Sequence, residues 1–107
     1  MSAGSQPTFD LQELQNLVRA KQWFATWEAI AHAVELRFDA EADIEACVLS
    51  LDSADFFKTM ESTAVPGTYQ DVYKPQYQGK KLYVKLRIQT TPTRRTVVIQ
   101  FKRDKSK

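Results

Sequence analysis

The amino-acid sequence predicts an α+β domain in which N-terminal helices pack on one face of an antiparallel β-sheet. Three observations predict it. The stretch Lys81–Ile88 alternates apolar and polar residues without a break, so a strand there sets Leu82, Val84, Leu86 and Ile88 against Lys81, Tyr83, Lys85 and Arg87. Thr96–Phe101 alternates as well, with Val97, Ile99 and Phe101 on one side and Val98, Gln100 and then Lys102 on the other. Upstream, as far as Met60, apolar residues recur at helical spacing, which is material to cover the greasy back of such a sheet.

At 107 residues the chain has room for one domain with one modest core. A composition 43% hydrophobic and 26% charged belongs to a folded globule, not to a disordered chain. No apolar run approaches the roughly 18 residues of a membrane span. The opening Met-Ser-Ala-Gly-Ser-Gln-Pro-Thr lacks the basic start and apolar centre of a secretory signal, so a cytoplasmic address is expected. Cys47 is the only cysteine, which excludes an intrachain disulfide and a cysteine-cluster metal site and marks it as a small core residue. The expected organisation is a loose tail over 1–8, one domain over 9–103 and a basic tail over 104–107.

In chain order, Asp10 with Glu13 three residues on resembles a capping box, and Leu11, Leu14, Leu17 and Val18 continue a first helix to near Ala20. Trp23–Ala25 is short and apolar and can pair as a brief edge strand. Thr26 can cap a second helix in which Trp27, Ile30, Ala31 and Val34 share the inward face. Glu28, His32 and Glu35 then lie opposite, so His32, the only histidine, reads as part of a solvated surface cluster and not as a catalyst. Asp39 is placed to cap a third helix over Ala40–Leu49, with Ile44, Cys47, Val48 and Leu51 inward. A short fourth helix is expected over Ala54–Met60, burying Phe56, Phe57 and Met60 and leaving Lys58 at a rim. After a loop at Pro66 and Gly67, Thr68–Lys74 reads as a strand separating Tyr69, Asp71 and Tyr73 from Gln70, Val72 and Lys74. Gln89–Arg95 is a hairpin loop with a cationic tip at Arg94 and Arg95.

Charge is divided along the chain. Residues 1–60 carry four basic against ten acidic side chains, a net −6, and residues 61–107 carry eleven against three, a net +8. Segregation of this size points to a polyanion on the C-terminal half, with nucleic acid the first candidate. The cationic sheet front offers Lys74, Lys85, Arg87, Gln100 and the loop pair Arg94 and Arg95 to phosphate, and Tyr83 to a base. Clustered carboxylates for metal-assisted hydrolysis are missing from the basic half, whose sheet holds one acid, Asp71, and no cofactor motif is present. Cleavage of RNA by its own 2′-hydroxyl remains chemically possible, because lysines and a tyrosine can take one proton, give another and stabilise phosphoryl charge. Crowded cations should push a lysine pKa down and favour tyrosinate. Composition alone leaves this reading even with a non-catalytic RNA-binding module on the same face, and leaves a structural protein docking an acidic chain as a further alternative.

The order Ser53-Ala-Asp-Phe-Phe-Lys-Thr-Met60, Gln70-Asp-Val-Tyr-Lys-Pro75, Leu82-Tyr-Val-Lys85 and Phe101-Lys102 resembles the motility quorum-sensing regulator (MqsR) toxins. The resemblance implies a RelE-like fold and a sequence-specific, ribosome-independent endoribonuclease that cuts mRNA without a metal. It also implies a cognate antitoxin, MqsA-like, containing zinc and a DNA-binding helix-turn-helix. Matched residue by residue, it makes Lys58, Gln70, Tyr83 and Lys102 the catalytic set. Lys58 and Lys102 are expected in charge stabilisation and proton transfer, Tyr83 in proton transfer or orientation, and Gln70 in holding a phosphate or base. Lys74 stands where the family often has arginine and loses bidentate geometry. The 89–95 hairpin and the C-terminal tail look longer and more basic than usual, which bears on sequence preference.

Overall fold

The computed structural model describes residues 6–105. Its helices are α1 (Leu11–Arg19), α2 (Trp27–Glu35) and α3 (Ala40–Ser50). Its strands are β1 (Trp23–Ala25), β2 (Phe56–Glu61), β3 (Tyr69–Tyr73), β4 (Gln76–Tyr77), β5 (Lys80–Gln89) and β6 (Arg95–Arg103). Five strands lie in the order β1-β6-β5-β3-β2, and β4 folds back on β5 as a short flap. All pairs are antiparallel except β1, the expected edge strand, which runs parallel to β6.

The helices cover the apolar back, as the sequence predicts. Leu14 and Val18 of α1, Ala29 and Ala33 of α2, and Ile44, Cys47 and Val48 of α3 pack on Leu82, Val84, Leu86, Tyr73 and Phe101 of the sheet. Each fully buried leucine or valine contributes about 1.5–3 kcal/mol. Thr26 is the strongest local signal: its hydroxyl accepts from the Ala29 N–H at 3.1 Å and donates to the Ile99 carbonyl at 2.7 Å, so it starts α2 and ties it to β6. The Asp10–Glu13 box does not form, because Glu13 is drawn to Arg94 across the domain and Asp10 caps without a side-chain bond. Asp71, fully buried, accepts the backbone N–H groups of Thr8 (3.0 Å) and Phe9 (2.8 Å) and so pins the chain's entry to α1. Of the tail expected over 1–8, residues 1–5 lie outside the described residues, as do 106–107 of the basic tail. No helix among the described residues is long and apolar enough to cross a membrane.

Three expectations need correction. The helix expected over Ala54–Met60 is a single 3-10 turn, Ser53–Asp55, followed by strand β2. Asp52 and Asp55 form the capping box of that turn, but β3 offers an unpaired edge, and the run Phe56-Phe57-Lys58-Thr59 zips onto it, with Phe56 edge-on to Tyr73 at 5.6 Å. Helix α2 is also turned from its expected phase: Ala29 and Ala33 are buried, while Trp27 is 87% and Val34 57% exposed. Finally, the alternation in β6 breaks at a bulge. Lys85 pairs Gln100 but Leu86 pairs Val98, so Ile99 is an extra residue. Val98 thereby joins Phe101 in the core, and Val97 moves to the front.

Candidate active site

The register of the sheet stacks the front-facing side chains in rows. Tyr83 pairs with Lys102. Two residues on, Lys85 pairs with Gln100 on one side and Val72 on the other, and Val72 pairs with Lys58, which makes a row Lys58–Val72–Lys85–Gln100. In the next row Arg87 pairs with Val97, and Gln70 pairs with Met60. Rows are about 6.7 Å apart, the rise of two strand residues. The bulge at Ile99 keeps Gln100 and Lys102 on this face together with Val97. Because β2 is a strand, Lys58 stands within the cationic front and not on a helix beside it.

Cations crowd the site. The Lys102 ammonium lies 5.2 Å from the Tyr83 ring centre, and the Lys74 ammonium sits 3.7 Å over the Phe57 ring, with Lys58 at 5.5 Å from the same ring. Lys74 also faces Asp104 at 3.6 Å. Partial burial pushes the Lys85 pKa down, and the neighbouring Lys102 and Lys58 push it further, opposed by Glu28. A charged lysine there loses hydration and meets two like charges, so its neutral form is favoured. Tyr83 moves the other way from the expected tyrosinate: burial raises its pKa, and Asp104 adds to the rise, so the phenol holds its proton.

Two hollows flank the central row. One, about 710 Å³, is walled by Tyr83, Lys102, Lys74, Phe57, Arg103, Asp104 and Lys105, with His32, Glu35 and Leu36 from α2. The other, about 590 Å³, holds Gln70 and Arg87 with Phe24, Thr26 and Val97 among its walls. The predicted residues Lys58, Tyr83, Lys102, Lys74, Lys85 and Gln100 are thus assembled, with Gln70 and Arg87 a row away. Arg94 is not, since it pairs with Glu13 of α1. Arg95 lies at the far end of β6, its guanidinium 5.6 Å from the Phe24 ring. Among the described residues no three His, Cys, Asp or Glu side chains stand together as a metal-binding group.

His32, read from the sequence as part of a solvated surface cluster, lies in the wall of the first hollow. Helix α2 runs beside the part of β6 that the short β1 leaves unpaired: Thr26 binds at Ile99, Glu28 accepts from the Gln100 amide at 3.1 Å, and His32 reaches the hollow beside Lys102. The small pair Ala29 and Ala33, four residues apart, was the available signal, because small side chains allow this close approach and fix the helix phase.

Two comparisons bear on this arrangement. The family model described as "Motility quorum-sensing regulator, toxin of MqsA" matches residues 6–103. The mRNA interferase toxin MqsR of Escherichia coli (strain K12) is 29% identical over 82 residues, 77% of this chain and 83% of that protein.

Proposed function

The chain belongs to the motility quorum-sensing regulator toxin family, as its motifs anticipate, and on that premise we propose that it is an endoribonuclease toxin that cuts single-stranded mRNA on the front of its sheet. The relative named an mRNA interferase toxin supports the activity. The observation that carries the reading is the row Lys58–Lys85–Gln100 beside the Tyr83–Lys102 pair, a surface of donors and cations bordered by Glu28 at Gln100 and by Asp104 near Tyr83.

The chemistry follows from those side chains. The substrate's 2′-oxygen attacks the adjacent phosphorus, the P–O5′ bond breaks, and the products are a 2′,3′-cyclic phosphate and a 5′-hydroxyl. Lys58 and Lys102 hold the charge that develops on the phosphoryl oxygens. The proton of the 2′-hydroxyl passes to Lys85, whose neutral form is favoured by burial and by the two lysines near it. Tyr83, with its raised pKa, gives a proton to the departing 5′-oxygen. Gln70, a row away, holds a neighbouring phosphate or base, and Lys74, Arg87 and Gln100 bind flanking phosphates. The family description names its members toxins of MqsA, which supports a cognate antitoxin as the second partner. The family resemblance extends this to a zinc-containing protein with a helix-turn-helix. Ribosome independence is part of the same proposal.

The test is incubation of the purified chain with a long single-stranded RNA in EDTA, with the fragment ends mapped, beside Lys102→Ala. Discrete cuts ending in cyclic phosphate, slowed about 100-fold or more in the variant, are expected. RNA that stays intact while shifting in a binding assay would make this face a binding module.

A further inference from the structure

We propose that the hollow beside Tyr83 and Lys102 is a nucleobase subsite, in which the base next to the scissile phosphate stacks on Phe57 and is read by His32. The proposal rests on the interferase reading and adds to it a ligand class and a reading residue.

Charge separates this hollow from the row next to it. The row presents Lys58 and Lys85, with Glu28 held by Gln100 at its end, and suits phosphate. The hollow sets two carboxylates, Glu35 and Asp104, among Lys74, Lys102, Arg103 and Lys105. A base is neutral, and its edge carries both donors and acceptors, which a wall of mixed charge can match. At about 710 Å³ the hollow has the size of a small-molecule site and takes one base with room for its ribose.

The aromatic wall agrees. Phe57 is 47% exposed at this hollow, and its ring is braced by Lys74. A phenylalanine left this open in a cationic surface is the kind of platform on which single-stranded bases stack. It is open because of the β2 bulge, which falls between Phe56 and Lys58 and lets Phe56 pack inward while Phe57 stays at the surface.

His32 supplies the reading group. Its Nδ1 is shielded from water and has no hydrogen-bond partner among the described residues, a condition that folded proteins rarely leave uncompensated. Neutral imidazole donates at one nitrogen and accepts at the other, and rotation about χ2 changes which edge faces the hollow without moving α2. A base edge arriving against this wall gives the orphan nitrogen a partner. A base that cannot match it leaves the nitrogen unpaired, and that difference is a specificity.

Two experiments test this, and the first does not depend on catalysis. The imidazole resonances of His32 are followed by NMR while the wild-type chain is titrated with each of the four 5′-nucleoside monophosphates and with ribose 5-phosphate. One nucleotide should move them well beyond the other three, and ribose 5-phosphate should leave them in place. Equal movement by ribose 5-phosphate, or no movement with any nucleotide, overturns the subsite even if the enzyme cleaves RNA. The second maps cuts in a random-sequence RNA pool for wild type, His32→Ala and Phe57→Leu. The base preference at one position beside the cut should fall by about tenfold or more in both variants, and an unchanged preference in His32→Ala overturns the assignment. A wild-type chain that binds one nucleotide at His32 but leaves all RNA intact would retain the subsite and refute the interferase reading.

Discussion

Lys85 stands between two other lysines with its hydration partly removed, and both effects favour the neutral amine. As the proton acceptor it makes the cleavage rate climb with pH until its own pKa, which lies below the ordinary 10.5, is passed. Lys85→Arg keeps the charge but cannot give up its proton. The expected result is RNA binding within a few-fold of wild type, cleavage slowed about 100-fold or more, and loss of that rise in a pH–rate profile. Tyr73 makes a second residue-scale case. Burial, and then the nearby Asp71, Asp10 and Asp55, push its pKa up to about 12 from the ordinary 10.0. A raised pKa in the folded state means that its contribution to stability is whole below pH 10 and is lost as the pH climbs toward 12. Denaturant melts of Tyr73→Phe across this window should therefore show a shallower alkaline decline than wild type. An identical decline would place the alkaline sensitivity elsewhere.

Helix α2 shows how much of the fold could be read from sequence and where reading stopped. Its start at Thr26, its length and its place on the sheet's back were legible, because capping chemistry is local. Its phase was not, because Trp27, Ile30, Ala31 and Val34 make the more apolar stripe, and the close seat against β6 selected Ala29 and Ala33 instead. Enlarging the buried face in Ala33→Leu should cost about 1–3 kcal/mol. Val34→Gln on the exposed face should change stability by no more than about 0.5 kcal/mol. Urea melts of the two variants decide between the faces, and the reverse ranking would restore the expected phase. Strand β2 was misread for a different reason. Six residues with two phenylalanines carry little period, and the deciding partner, β3, comes later in the chain. The front-facing Tyr83, Lys85 and Arg87 were legible from the alternation in Lys81–Ile88, and Lys58 reaches the same face on a strand where a helix was expected. The place of His32 at the hollow was not legible, because it depends on a helix phase that only tertiary packing sets.

Across the molecule, the acidic first half supplies the helical back, and the basic second half supplies the strands β3, β5 and β6 that carry most of the front. Charge of one sign on one face makes association with RNA strongly salt-dependent, and each phosphate contact adds about 0.7 to the slope of log K against log[salt] for a single strand. Arg87→Ala should lower that slope by about one contact, whereas Arg94→Ala, whose side chain is held by Glu13, should leave it unchanged. Binding titrations at several salt concentrations read this directly, and an equal loss in the two variants would mean that RNA reaches the loop tip. The central claim is that this face makes the RNA attack itself. The direct measurement is cleavage of a substrate carrying a single 2′-deoxy nucleotide immediately 5′ of the mapped cut, beside the all-RNA strand. Loss of that cut with binding retained and other cuts intact is the result expected. Cleavage that continues at the deoxy position would show that water, and not the 2′-hydroxyl, is the nucleophile.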